Sequence, residues 1–282
     1  MEHTFDAAVI GAGPAGLSAA INLSQRGKSV IIYGSENLLA RAEKVDNYLG
    51  LPGLNGTQLM DTFLNHVKKM QIPIKNAKVA NIMPFDDTFM ANVNGEILSY
   101  RTIVYAGGVA KAKELPGEAQ FLGNGVSYCA TCDGMLYRGK TCVVWGNAKD
   151  AVEEANFLAG IGVNVNFVAA KQPAALTDTA TFVAGALKAI EGENKVSHAV
   201  LADGTRLPCD GVFLLRAAIA PDKLIAGLEL TDGYVNVTRS MSTNIPGFFA
   251  CGDCTGTPLQ VSKAVGEGLI AGLAAAEYLD QD

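Results

Sequence analysis

Ala7-Ala8-Val9-Ile10-Gly11-Ala12-Gly13-Pro14-Ala15-Gly16 decides the fold. Four small or branched apolar residues without alternation read as a strand buried on both faces. A glycine-rich turn follows, then a helical stretch to about Arg26, closed by Gly27. Ser29 to Tyr33 is the next strand, which completes a βαβ unit. The spacing of Gly11, Gly13 and Gly16 has a physical reason. One glycine makes the tight turn, one lets the backbone approach a pyrophosphate, and one lets helix and strand lie close. The pyrophosphate then rests on the positive end of the helix. An acid for the ribose is expected where the second strand ends, and Glu36 in Gly34-Ser35-Glu36 stands slightly late for it. A solvated loop charge explains Glu36 equally well.

A second βαβ pattern starts near Lys140, with a strand from Thr141 to Trp145, a turn at Gly146, a helix from Asp150 to about Ala159 and a strand from Val163 to Val168. Near the end, Gly247 to Asp253 reads as a strand leading into a helix from about Pro258 to Leu279. Pro258 suits a first helical turn and Thr257 a cap. Gly266, Gly268 and Gly272 thin one side of that helix, so a neighbour must lie close there. The chain has 282 residues, 49% of them hydrophobic and 18% charged, which fills the cores of two ordinary domains. A net charge of −6 argues against nucleic-acid binding. The N-terminal segment lacks a signal-peptide pattern, and the apolar run from Leu269 to Ala276 is too short to span a bilayer. The expected setting is cytoplasmic, with no membrane partner.

In that setting, six cysteines are better read as redox or metal groups than as a disulfide framework. Cys129-Ala130-Thr131-Cys132-Asp133 carries the chemistry. Two thiols at this spacing close a small disulfide ring, one attacking a partner disulfide and the other resolving the mixed species. Asp133 follows directly, where a carboxyl group could carry the proton. A second pair, Cys251 and Cys254, makes a zinc site formally available, but the two pairs lie far beyond the usual separation of about 15–20 residues. Buried packing is the preferred reading for Cys251 and Cys254, and also for Cys142 and Cys209, and no metal is expected. His3, His66 and His198 are scattered and without a partner that the sequence identifies.

Taken together, Gly11 to Gly16, Asn47-Tyr48-Leu49-Gly50, Cys129 to Asp133, Gly252-Asp253 and Gln260 resemble the low-molecular-weight thioredoxin reductases over essentially the whole chain. The resemblance implies an α/β fold of two Rossmann-like domains. Residues 1–111 and 244–282 would form a discontinuous FAD-binding domain, and 112–243 a smaller inserted domain carrying the CxxC and a degenerate NAD(P)H-type fold. It implies a homodimer, with thioredoxin as substrate. Cys132 would face the flavin and Cys129 would exchange with thioredoxin. FAD would be contacted by Gly11, Gly13, Pro14, Ala15 and Gly16 in the first turn, and by Gly34, Ser35 and Glu36 after the second strand. Further contacts would come from Asn47, Val79, Ala106 and Gly107, and in the C-terminal segment from Gly252, Asp253, Gln260 and Val261.

The departure lies in the second βαβ unit. Its turn reads Trp145-Gly146-Asn147-Ala148-Lys149-Asp150, where only Gly146 keeps the glycine pattern. The next strand ends Val168-Ala169-Ala170 with Lys171 beyond, not with the basic cluster that a 2′-phosphate requires. This combination, with Leu214 to Pro221 and Gly252 to Gln260, is similar to the ferredoxin-dependent flavin thioredoxin reductases, and reduced ferredoxin is the implied electron donor. Thioredoxin lies near roughly −270 mV and low-potential ferredoxins near about −400 mV, a gap of ~6 kcal/mol for two electrons. An acidic ferredoxin would need a local basic patch on this acidic chain. Open alternatives are a dithiol oxidase or a diflavin-linked oxidoreductase of the same fold, an NADPH enzyme with a divergent site, and a flavin-binding sensor. Retention of both thiols and Asp133 argues against the last.

Overall fold

The computed structural model describes residues 5–34, 38–108, 114–146, 151–215 and 220–281, without the side chains of residues 38, 41 and 132. Two compact units emerge, one from residues 1–110 with 220–282, the other from 111–219. The first unit begins with β1 (Ala7–Ile10), α1 (Pro14–Gln25), β2 (Val30–Tyr33), α2 (Gly56–Lys69) and β3 (Ile74–Lys75). It continues through β4 (Val79–Phe85), β5 (Thr88–Val93), β6 (Glu96–Tyr100) and β7 (Thr102–Tyr105). The second unit contains β8 (Val126–Ser127), α3 (Ala130–Asp133), β9 (Thr141–Gly146), α4 (Ala151–Gly160), β10 (Asn164–Ala169) and β11 (Thr181–Ala184). It closes with β12 (Leu187–Gly192), β13 (Val196–Leu201), β14 (Arg206–Pro208) and β15 (Gly211–Leu215). The chain then returns to the first unit as α5 (Pro221–Leu224), β16 (Leu230–Thr231), β17 (Tyr234–Val235), β18 (Phe248–Ala250) and α6 (Val261–Leu279).

Each unit is built on a five-stranded parallel sheet, in the order β18-β7-β1-β2-β3 in the first and β11-β10-β9-β15-β8 in the second. Ala7, Ala8 and Val9 are buried, as a central parallel strand requires. α1 and α6 pack together beside this sheet, with Leu17, Leu23, Ala271, Ala275 and Leu279 in one core with Val9, Ile32, Val104 and Phe249. The glycine reading of the last helix holds at two of its three positions. A Cβ on Gly268 would lie 2.2 Å from the Ala15 carbonyl oxygen, and one on Gly272 2.5 Å from that of Ala19. Gly266 faces open space. In the second unit β9 splits its side chains between two cores. Cys142 and Val144 join Leu158 and Phe167 on the α4 side, while Val143 joins Val196, Leu201 and Val212 on the β12–β14 side.

Two boundaries differ from the sequence reading. The return to the first unit comes at Ala220, earlier than residue 244. Ile225 bridges Ile82 of β4, Ser242 bridges Phe249 of β18, and Asn244 ties to Gly227 and Glu229, so 220–243 is stitched to the first unit. The last helix begins at Val261, not Pro258. Gln260 is its N-cap residue in extended backbone, and its side-chain oxygen is taken by Asn47, so neither Thr257 nor Pro258 belongs to the helix start. No helix among the described residues is long and apolar enough to cross a membrane.

Candidate active site

Gly11, Gly34, Ala106, Gly107 and Gly252, read from sequence as cofactor contacts, lie just after strands of the first sheet. Gly11 follows β1 with its amide donating to the Tyr33 carbonyl at 2.7 Å, and the Ala106 amide donates to the Ile10 carbonyl at 2.7 Å. At φ +117°, Gly11 lies against β7, and a Cβ there would meet the Ala106 carbonyl oxygen at 2.1 Å. A Cβ on Gly16 would stand 1.9 Å from the Gly11 carbonyl oxygen, so the helix is seated directly on the turn. Gly13 is the N-cap position of α1 and Pro14 occupies the first turn. No side chain among the described residues caps α1, and no acid lies in its first turn. Its leading N–H groups therefore point outward from a turn whose side chains are only those of Ala12 and Pro14, which fits the pyrophosphate of a dinucleotide such as FAD. Ala15 is buried behind that turn.

Gly34 follows β2, its amide bonded to the Lys75 carbonyl at 3.1 Å, and Val79 enters β4 shortly after Lys75. Ser35 and Glu36 lie outside the described residues. Ala106 and Gly107 follow β7. Gly252 and Asp253 follow β18 as the chain turns toward α6, whose N-terminus also has no side-chain cap and no acid in its first turn. Asn47 reaches this segment through a 2.6 Å hydrogen bond from its Nδ2 to Gln260 Oε1, next to Val261, the first helical residue.

Beneath the loop at 252–256 lies a network that the sequence reading missed. Glu267 Oε2 accepts from the Gly252 amide at 2.9 Å and from Thr255 Oγ1 at 2.8 Å. Lys263 Nζ pairs with Glu267 at 3.1 Å and donates to the carbonyls of Gly252 and Gly256 at 2.8 and 2.7 Å. The i,i+4 spacing of Lys263 and Glu267 was the available signal. Burial holds the Asp253 carboxyl above its ordinary range, with Lys263 opposing and Glu267 reinforcing the shift. Cys251 and Cys254 are buried free thiols, and Cys254 Sγ donates to the Cys251 carbonyl at 3.2 Å. Burial pushes the Cys254 thiol up to about 12 and Cys251 well above its usual value. Among the described residues no group of three His, Cys, Asp or Glu gathers to hold a metal ion.

In the second unit, β8 ends at Ser127 and delivers Tyr128 and Cys129 to the start of α3. Cys129 is buried and disulfide-bonded. Cys132 lies in α3, and its side chain is outside the described residues. Asp133 ends α3, with its amide bonded to the Cys129 carbonyl at 3.3 Å and its Oδ2 accepting from Ser127 Oγ at 2.7 Å. Two more acids bond to the motif and to the residue before it. Glu154 of α4 accepts from the Ala130 amide at 2.9 Å, and the buried Glu118 accepts from Tyr128 Oη at 2.9 Å. Neither acid, nor Ser127, stands at a spacing that marks it in sequence. Met135 and Leu136, just beyond Asp133, are 60% and 69% exposed. His198, read as partnerless, has Nδ1 3.0 Å from Ser197 Oγ, and His3 lies outside the described residues.

The family model for pyridine nucleotide-disulphide oxidoreductases matches residues 5–268. A ferredoxin-flavin thioredoxin reductase from Clostridium acetobutylicum, solved as a crystal structure, is 41% identical to this chain with a TM-score of 0.90, covering 99% of each chain. A thioredoxin reductase from Gloeobacter violaceus is 30% identical with a TM-score of 0.83, covering 98% of this chain and 94% of its own. The thioredoxin reductase of Aquifex aeolicus is 31% identical across 99% of this chain and 94% of that protein. With the glycine turn at β1, the bare helix N-termini and the disulfide at Cys129, these likenesses agree: the chain belongs to the pyridine nucleotide-disulphide oxidoreductase family, as an FAD-dependent flavoprotein of the thioredoxin reductase type that acts on disulfides.

Proposed function

We propose that this enzyme reduces thioredoxin through Cys129 and Cys132, with reduced ferredoxin rather than NADPH as its electron donor. The observation that carries the exchange step is the disulfide at Cys129, set between Ser127 and Asp133 in a motif of the right spacing. FAD, when bound, supplies a centre that accepts electrons singly and yields them as a pair. The proposed contacts for it are Gly11 to Gly16, Gly34 to Glu36, Asn47, Val79, Ala106, Gly107, Gly252, Asp253, Gln260 and Val261.

In the reduced enzyme the Cys129 thiolate attacks the substrate disulfide. A bond forms between Cys129 and one substrate sulfur, the substrate S–S bond breaks, and the leaving sulfur takes a proton from Asp133. Cys132 then gives its thiol proton to the ionised Asp133 and attacks Cys129, reforming the enzyme disulfide and displacing the second substrate sulfur, which takes that proton from Asp133. The enzyme dithiol is oxidised and the substrate disulfide reduced, two electrons for two. Exposed Met135 and Leu136 offer an apolar landing beside the motif for a protein substrate. Homodimer formation is part of the same reading, and exposed Leu269 and Ile270 on α6 offer it a face.

The donor assignment rests on subtraction and on likeness. β10 ends at Ala169, followed by Ala170 and the exposed Lys171, so among the described residues no cation cluster follows β10, where a 2′-phosphate would lie. Ala148 and the rest of 147–150 are outside the described residues. Identity to the Clostridium ferredoxin-flavin enzyme is 41%, against 31% to the Aquifex enzyme. The test of the exchange step is substitution. Cys129→Ser and Cys132→Ser each abolish thioredoxin reduction while FAD stays bound. Normal turnover by either variant contradicts the reading.

A further inference from the structure

Ser127 stands where the exchange proton must be handled. It is 3% exposed, and its backbone is fixed by the pairing of β8 with β15. Its hydroxyl touches three groups of the cysteine motif. Oγ accepts from the Cys129 amide at 3.1 Å, and it lies 2.7 Å from Asp133 Oδ2 and 3.2 Å from the Cys129 carbonyl. A serine hydroxyl has one hydrogen to give and two lone pairs. It cannot donate to Asp133 and to the Cys129 carbonyl at once, so the two contacts are alternatives.

We propose that Ser127 is a hydroxyl rotor that lets Asp133 change protonation state during thiol–disulfide exchange. With Asp133 ionised, the Ser127 hydrogen points to Oδ2, and the Cys129 amide occupies one lone pair. With Asp133 protonated, its O–H donates to the second lone pair of Ser127, and the Ser127 hydrogen swings to the Cys129 carbonyl. The amide of Cys129 stays bonded in both states, and neither form of Asp133 loses its partner on Ser127. The 2.7 Å separation suits an O–H···O bond in either direction. With Ser127 buried and Asp133 part-buried, an unmet donor or acceptor in one of the two states would oppose the proton transfer.

Among the described residues, Glu154 and Tyr137 also lie near. The Glu154 carboxylate is engaged by the Ala130 amide. The Tyr137 hydroxyl is pushed up to about 12, by burial first and then by Cys142 and Asp133, so it stays protonated. Ser127 acts through Asp133 and is a positioning residue. The inference rests on the exchange reading given above.

Leaving-group acidity provides the test. Thioredoxin releases an alkyl thiol that needs a proton, whereas an aryl disulfide such as dithiobis-nitrobenzoate releases a thiolate that leaves without one. Holoenzyme is reduced with dithionite, freed of excess reductant, and mixed with each disulfide in a single turnover. Ser127→Ala is expected to slow thioredoxin reduction about 10- to 100-fold and aryl disulfide reduction less than about twofold. Ser127→Thr, which keeps the hydroxyl, restores the thioredoxin rate. In the Asp133→Asn background, Ser127→Ala adds no more than about twofold, because the two act as one unit. Far-ultraviolet circular dichroism and FAD content check that each variant is folded, and the Thr and Asn variants carry the test if the Ala variant is not. Equal slowing of both disulfides, or no slowing of either, overturns the rotor. A Cys129→Ser enzyme that still reduces both disulfides overturns the exchange reading, and the rotor with it.

Discussion

The side chain of Asn47 donates to that of Gln260 at 2.6 Å, joining a loop ahead of α2 to the cap position of α6. Both residues belong to the proposed FAD contacts, and their bond fixes the approach to the uncapped helix. An exposed hydrogen bond of this kind contributes on the order of 1 kcal/mol. Asn47→Ala is therefore expected to weaken FAD retention about three- to tenfold, measured by flavin released on dilution, with the apoprotein still folded.

The turn at β1 leaves no room for a side chain at Gly11 or at Gly16. Val at Gly11 or Gly16 places a Cβ about 2 Å from a backbone carbonyl oxygen of the same cradle. Both variants should purify with less than about a tenth of the normal flavin absorbance. Full FAD occupancy in either would place the cofactor elsewhere.

Asp253 gives a prediction in pH. Burial raises its carboxyl above the ordinary value. A carboxyl raised by folding favours the folded apoprotein at low pH, and that contribution is lost as pH rises through the raised value. Asp253→Asn carries no charge at any pH. It should raise the melting temperature of the apoprotein at about pH 7, flatten the fall in stability between acid and neutral pH, and weaken FAD binding. A lower melting temperature at neutral pH would show that the charged form is held favourably.

Four thiols should be silent. Cys142, Cys209, Cys251 and Cys254 are buried, and burial pushes Cys142, Cys209 and Cys254 each up to about 12. Thiolate, not thiol, is alkylated. Brief iodoacetamide treatment of the reduced native enzyme near neutral pH should leave these four unlabelled, as read by peptide mass. Cys251→Ala and Cys254→Ala should each keep measurable activity.

What the sequence disclosed follows how local each signal was. The strand, turn and helix at Ala7 to Gln25 were legible because turn, packing and ligand approach share six consecutive residues. The second βαβ unit at Thr141 to Ala169 was legible for the same reason. The start of α6 was misread because Pro258 favours a helix start locally, while the bond from Asn47 to Gln260 spans 213 residues. Residues 220–243 were assigned to the wrong side of the unit boundary because single bridges such as Ile82 to Ile225 leave no periodic pattern. Ser127, Glu118 and Glu154 were invisible as site residues since Ser127 and Glu154 meet the cysteine motif, and Glu118 the adjoining Tyr128, through fold-dependent hydrogen bonds. Lys263 and Glu267 carried a readable spacing, and only the structure shows what their charges hold.

The donor is the central claim, and anaerobic stopped-flow absorbance tests it most directly. The holoenzyme is mixed with reduced ferredoxin or with micromolar NADPH, and thioredoxin is then supplied as acceptor. Reduced ferredoxin is expected to bleach the flavin absorbance rapidly and to sustain catalytic thioredoxin reduction, while NADPH does neither. Rapid bleaching by NADPH with catalytic thioredoxin reduction would contradict the account.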